Sequence, residues 1–195
     1  AIRKMRVQPQ RPVGSNLPEK QAIAAVTARI IQNGDTLFLN SGTTTHQLAM
    51  ALKEHRNLNV VTNSVAVAAE LSAIATFHVI LLGGELDPQY LYTSGGDAQE
   101  QLRKYQADYA ILSLDGVSVE NGITTYHADE AIIDRMMVEQ AQKTLIIADH
   151  TKIGHAGFSL ICPLQQVDTV ITDDRCDQAI IEPIAAQASV ITAKP

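Results

Sequence analysis

The sequence predicts an α/β protein, a mainly parallel, Rossmann-like sheet with helices on both faces. Two observations carry this. Short, continuously apolar runs alternate with helical patterns along the chain, the signature of strands buried on both faces and their crossover helices. Polar turns rich in glycine and hydroxyls follow five of these runs on the carboxyl side, where open α/β sheets place ligands. The 195 residues, 46% apolar and 18% charged, suffice for one domain with a substantial core.

The chain opens with a basic arm, residues 1–16, carrying Arg3, Lys4, Arg6 and Arg11 beside Pro9, Pro12 and Gly14. Its composition suits an extended segment, either a solvated tail or a tether to a further module. The main domain is expected over residues 17–192. Pro18-Glu19-Lys20 opens a helix whose apolar face is Ala22, Ile23, Val26 and Ile30, and Asn33-Gly34 stops it. Thr36 to Leu39 is a strand, followed by a helix with Leu48, Ala49 and Leu52 inward. Leu58 to Thr62 is the next strand, and Asn63-Ser64 caps a helix with Ala68 and Leu71. Phe77 to Leu82 runs as a strand into Gly83-Gly84, and Tyr109 to Leu112 runs into Asp115-Gly116. Asp129 is expected to cap a helix that buries Ile132, Ile133, Met136 and Met137. Strands follow at Thr144 to Ala148 and Thr169 to Thr172. Asp177 starts a helix with Ile180, Ile181 and Ile184, and Ser189 to Thr192 is the last strand.

The most informative turn is Asn40-Ser41-Gly42-Thr43-Thr44-Thr45, between an apolar strand and a helix. Backbone amides and hydroxyls converge there at a helix N-terminus, a setting that attracts phosphate. Thr62-Asn63-Ser64, Gly83-Gly84-Glu85, Asp115-Gly116 and Asp149 to Lys152 end other strands and are expected to converge on the same crevice. Lys152 can neutralise phosphate as a point charge. Asp115 can bond sugar hydroxyls, act as a base, or shape its turn.

Several chemistries lack their motifs. No GK[ST] follows a glycine at P-loop spacing, and no G-x-G-x-x-G occurs, so NTP and NAD are poor candidates. The six histidines and two cysteines, Cys162 and Cys176, show no metal-ligand spacing, so neither metal nor cofactor is expected. No G-x-S-x-G elbow supports serine hydrolysis. No apolar run has membrane-spanning length, and the net charge of −6 argues against gripping nucleic acid over a broad surface.

Asn40 to Thr45, Val61-Thr62-Asn63-Ser64, Leu82-Gly83-Gly84, Asp115-Gly116, Asn121-Gly122-Ile123-Thr124 and Ala148 to Gly154 occur in that order. Together they resemble the effector-sensing domain of DeoR-type bacterial transcriptional regulators, over nearly the whole chain. The resemblance implies a sheet related to ribose-phosphate isomerases and CoA transferases. It implies a phosphorylated sugar or glycolytic intermediate as effector, and no catalysis. It implies a cytoplasmic homo-oligomer that represses sugar metabolism and reaches operator DNA through an N-terminal winged helix-turn-helix absent from this chain. Carried over, Gly42, Thr43 and Thr44 hold the phosphate, with Ser41 and Thr45 beside them, and Asn63, Ser64, Gly84, Asp115, Gly116 and Lys152 surround the rest. Asn40 stands where the family usually shows an acidic residue. The alternative is a sugar-phosphate isomerase or deaminase of the same fold. Against it, Asp115-Gly116 continues as Val117-Ser118-Val119, without the further acids of the isomerase turn.

Overall fold

The computed structural model describes residues 15–195, so the basic side chains of the expected arm lie outside the described residues. Seven strands form one parallel sheet: β1 (Thr36–Leu39), β2 (Asn59–Thr62), β3 (His78–Leu81), β6 (Ala107–Leu112), β9 (Ala141–Ile147), β11 (Thr169–Asp173) and β12 (Ser189–Ala193). Their order is β12-β11-β9-β6-β1-β2-β3. The chain steps outward from β1 through β3, then returns to β6 on the other side of β1 and steps the opposite way. The direction therefore reverses between β1 and β6, which opens a crevice at the carboxyl ends of those two strands.

Alternation along each strand sends residues to two cores. Leu37, Leu39, Val60, Ile111, Leu145 and Ile147 pack beneath α1 (Leu17–Ala28), α2 (Thr43–Ala51) and α3 (Val65–Ser72). Phe38, Val61, Ala110, Leu112, Ile146 and Val170 pack on the other face, against α4 (Gly95–Leu102), α5 (Ala128–Glu139) and α6 (Gln178–Ala185). That second face also carries a three-stranded antiparallel sheet in the order β10-β8-β7: β7 (Gly116–Ser118), β8 (Gly122–Thr125) and β10 (Ser159–Cys162). A hairpin of β4 (Glu85–Asp87) and β5 (Tyr92–Ser94) stands beyond the end of β3.

Helices on both faces and the parallel strands match the sequence expectation. Several details differ. The buried stripe of α1 is Glu19, Lys20, Ile23, Ala24, Thr27 and Ala28, whereas Ala22, Val26 and Ile30 are half-buried. The cap of α5 is His127, and Asp129 lies inside the first turn. Ile132 and Ile180 are exposed rather than buried. Ser64 alone caps α3, accepting a hydrogen bond from the Val67 amide. α4, the β4–β5 hairpin and the antiparallel sheet are elements the sequence pattern does not predict.

Candidate functional site

Asn40, the residue after β1, is fully buried at the reversal point. Its Nδ2 donates to the Ser113 carbonyl (2.8 Å) and to Oδ2 of Asp134 (3.0 Å), and its Oδ1 accepts from the Ser113 amide (2.9 Å). One carboxamide thus ties the ends of β1 and β6 to α5. Gly42, two residues on, caps α2. A Cβ there would lie 2.7 Å from both Cβ and Oγ of Ser113, so only glycine lets α2 begin this close to the end of β6. The cap has no side chain to spend on the helix, and α2 receives no side-chain cap hydrogen bond. The amides of Thr43, Thr44 and Thr45 precede the first intrahelical bond, which His46 makes to Gly42. This is the electropositive end of the helix dipole.

Beside it, after β6, Asp115 accepts from Thr125 Oγ1 (3.1 Å), from the Tyr126 amide (3.0 Å) and from Lys152 Nζ (3.0 Å). Lys152 arrives from the 3-10 turn His150–Lys152 that follows β9. Across the crevice, α5 contributes two buried carboxyls four residues apart, Glu130 and Asp134. Burial is the main reason both hold their protons to unusually high pH. Asp134 is raised to about 8, and the charge of Asp115 adds to the effect. Glu130 is raised well above the ordinary carboxylate range by burial and by Asp134 and Asp115. Tyr92, from the hairpin, is raised to about 12 by burial and by the acidic neighbours Glu130, Asp87, Asp129 and Asp134, so its phenol stays protonated.

The hairpin closes one side. Thr93 N donates to the Asn63 carbonyl (2.8 Å) and Val65 N to the Leu91 carbonyl (2.9 Å), fastening it to the start of α3. Ser41 Oγ donates to the Tyr90 carbonyl (3.4 Å), and the Tyr90 ring tilts against His127 at 4.6 Å between centroids.

Among the sequence-predicted residues, Ser41, Gly42 and the threonines lie at the β1 end, with Asp115 and Lys152 paired next to them. Thr43 is exposed and Thr44 buried; the Thr45 hydroxyl is spent on the Gly42 carbonyl (2.9 Å). Asn63 is buried after β2, and the Ser64 hydroxyl serves α3. Gly116 is buried in β7, where a Cβ would meet Thr124 Oγ1 at 2.5 Å and the His155 carbonyl at 2.6 Å, so its place is set by packing. Gly84 stands beyond the edge strand β3, packed against Ser94 and Ala98, on the far side from Asp115 and Lys152. No sequence motif marks Asp134 or Tyr92, and Glu130 in sequence looks like an ordinary acidic residue of the first helical turn. The available signal was two acids at i, i+4 interrupting the apolar stripe Ala131, Ile133, Met137.

A cavity of about 270 Å³ lies at the opposite end of the sheet, lined by Thr36, Asp108, Glu139 and Gln142 among others. Its charged side chains are acidic and no helix starts there, so it is a poor setting for an anion. The strand-end crevice is the better site on chemistry. Among the described residues no group of His, Cys, Asp and Glu is arranged to hold a metal ion, and no helix is long and apolar enough to cross a membrane.

Comparison with known proteins gives the family. The family model for the DeoR C-terminal sensor domain matches residues 15–174. The chain belongs to the DeoR family. Among curated DeoR-type relatives, it is 33% identical over 164 residues to the HTH-type transcriptional repressor GlcR of Bacillus subtilis, covering 84% of this chain and 63% of that protein. It is 32% identical over 155 residues to the glycerol-3-phosphate regulon repressor of Escherichia coli, covering 80% and 62%. The chain thus spans about three-fifths of the length of these relatives. In fold, this DeoR sensor domain is similar to ribose 5-phosphate isomerase A from Methanocaldococcus jannaschii (TM-score 0.52, 13% identity, 71% of this chain and 55% of that one). It is also similar to eIF2B beta from Chaetomium thermophilum (TM-score 0.59, 14% identity, 89% and 54%).

Proposed function

We propose that this domain senses a phosphorylated sugar or related intermediate for a transcriptional repressor of sugar metabolism. The observation that carries this is the α2 N-terminus, which receives no side-chain cap and packs through Gly42 on Ser113, two residues before the Asp115 that holds Lys152. A helix N-terminus and a lysine together suit a phosphate dianion. The names of its relatives, a transcriptional repressor and a glycerol-3-phosphate regulon repressor, support a role in regulation. On this reading the domain reaches operator DNA through an N-terminal module, acts as a homo-oligomer in the cytoplasm, and uses no cofactor.

The test is a thermal-shift screen of sugar phosphates, each beside its unphosphorylated parent. At a hundredfold excess over Kd, a specific ligand stabilises by about 2.7 kcal/mol. For a chain of this size that is a shift of roughly 5–10 °C. Lys152→Ala is expected to weaken the hit about 10- to 100-fold and Thr43→Ala about fivefold, from the worth of a charge-assisted and a neutral hydrogen bond. Unchanged affinity in both variants places the phosphate elsewhere.

A second reading, a sugar-phosphate isomerase, draws on the buried carboxyls of α5, since proton transfer needs an acid or base with a shifted pKa. Turnover of ribose 5-phosphate or glucosamine 6-phosphate by the purified chain would establish it; tight binding without turnover leaves the sensor.

A further inference from the structure

Two buried oxygens beside the crevice have no hydrogen-bond partner among the described residues: Oδ1 of Asn63 and Oδ1 of Asp134. Both side chains are almost wholly buried, at 0% and 1% exposure. A buried polar atom left unpaired costs about 1–3 kcal/mol, so two of them near one crevice call for an explanation. Their placement supplies one. Leu39 pairs with Thr62 across β1 and β2, so Asn40 and Asn63 are the next residues of neighbouring parallel strands. By strand alternation both fall on the face of Phe38 and Val61, beneath α5. Asp134 comes down from α5 onto Asn40. Other polar groups here include Glu130, the Thr125 hydroxyl that bonds it, the protonated phenol of Tyr92, and His127, whose ring lies 6.3 Å from that of Tyr92. The charged neighbours acting on Glu130, Asp134 and Tyr92 are acidic, namely Asp87, Asp115 and Asp129. Lys152 is already held by Asp115.

We propose that Asn63, Asp134 and Tyr92 form the hydroxyl-reading half of the effector pocket, which takes a neutral polyol chain and turns away a second anionic terminus. This rests on the phosphate site proposed above. A hydroxyl both donates and accepts, so it satisfies the Asn63 oxygen as a donor and meets Asp134 whether or not that carboxyl holds its proton. A second phosphate or a carboxylate would meet the negative charges of Asp87, Asp115 and Asp129, and among the described residues Lys152, the lysine at this end of the crevice, is already paired with Asp115, so its desolvation would go uncompensated. The effector class is therefore a sugar or polyol with one phosphate end, rather than a bisphosphate or a phosphorylated sugar acid.

Calorimetric titration of the full 195-residue chain tests this with four kinds of probe: inorganic phosphate, a panel of hexose and pentose monophosphates, fructose 1,6-bisphosphate and 6-phosphogluconate. The wild-type chain is expected to bind its best monophosphate at least tenfold more tightly than the bisphosphate and the acid. The affinity ratio of that monophosphate to inorganic phosphate is expected to fall at least fivefold in both Asp134→Asn and Tyr92→Phe. Asp134→Asn keeps the side-chain shape and an oxygen for Asn40, and Tyr92→Phe removes one hydroxyl, so the second variant decides if the first fails to fold. Equal binding of mono- and bis-phosphates, or an unchanged ratio in the folded variants, overturns the inference while leaving the phosphate site standing. No binding of any phosphorylated probe overturns the phosphate site itself, and this inference with it.

Discussion

Asp134 shows how one buried carboxyl sets a pH dependence. In the unfolded chain it ionises near its ordinary value of 3.8, whereas folded, its burial among apolar neighbours and the charge of Asp115 hold the proton to about 8. Between these values folding takes up a proton. The stability this group contributes is therefore present at low pH, declines as pH rises, and is lost above the folded value. Glu130 is shifted in the same direction and steepens the decline. Asp134→Asn removes one titration while keeping the geometry. Relative to the variant, the wild-type melting temperature is expected to fall as pH is raised from about 5 to about 9, the gap being widest at the alkaline end. Melting curves that stay parallel across that range would show that Asp134 is not held protonated. Asn40 belongs to the same balance. As an amide it donates to Asp134 without adding charge, which suits a site already rich in carboxyls.

At the level of elements, the β1–α2 turn is positioned by one contact, Gly42 on Ser113. Gly42 has an extended backbone that any residue can adopt, so its constraint is space alone. Gly42→Ala is expected to cost about 1–3 kcal/mol as an overpacked contact. At about 2–4 °C per kcal/mol, that is a visible drop in melting temperature. Ser113→Gly in the same chain should restore most of it, because the clash is with that side chain. Purely additive losses in the double variant would mean α2 is not seated on β6. The same comparison of elements explains what the sequence disclosed. Leu37-Phe38-Leu39, Val60-Val61 and Leu145-Ile146-Ile147 are apolar on both sides because both faces of the sheet are covered, so the parallel strands were legible. α4 begins with two glycines and is mostly polar, and β4 exposes Leu86, so neither carries a clear period. Asn121-Gly122 stands out as a motif, yet the β7–β8 hairpin it turns is too short to carry a clear period. The strand-end turns were visible as clusters of small polar residues. Glu130 and Asp134 were not, since an acid on an amphipathic helix looks solvated until the fold places β8 and β10 against that helix.

Across the whole molecule, α1 is held by charge at the same end of the sheet as the crevice. Lys20 lies 3.9 Å from Asp149 and donates to the Ser15 carbonyl (2.7 Å), while Arg175 pairs with Glu19 at 2.8 Å. Lys20, Glu19 and Asp149 are buried, so the first turn of α1 is pinned to the turns after β9 and β11. Asp149 also caps the 3-10 turn that ends in Lys152, the residue that faces Asp115. On the proposed reading, a ligand drawing on Lys152 acts on a turn whose other end holds α1. Coupling of this kind requires the ligand to favour one arrangement of that turn over another. Hydrogen exchange gives the test. A sugar monophosphate that stabilises the domain is expected to slow amide exchange in residues 17–28 of the wild-type chain as well as around Lys152. In Lys20→Met, which keeps the aliphatic stem and removes the ammonium, protection around Lys152 should persist while that of α1 is largely lost. Equal protection of α1 in both proteins would show that the Lys20–Asp149 pair does not couple the Lys152 turn to α1.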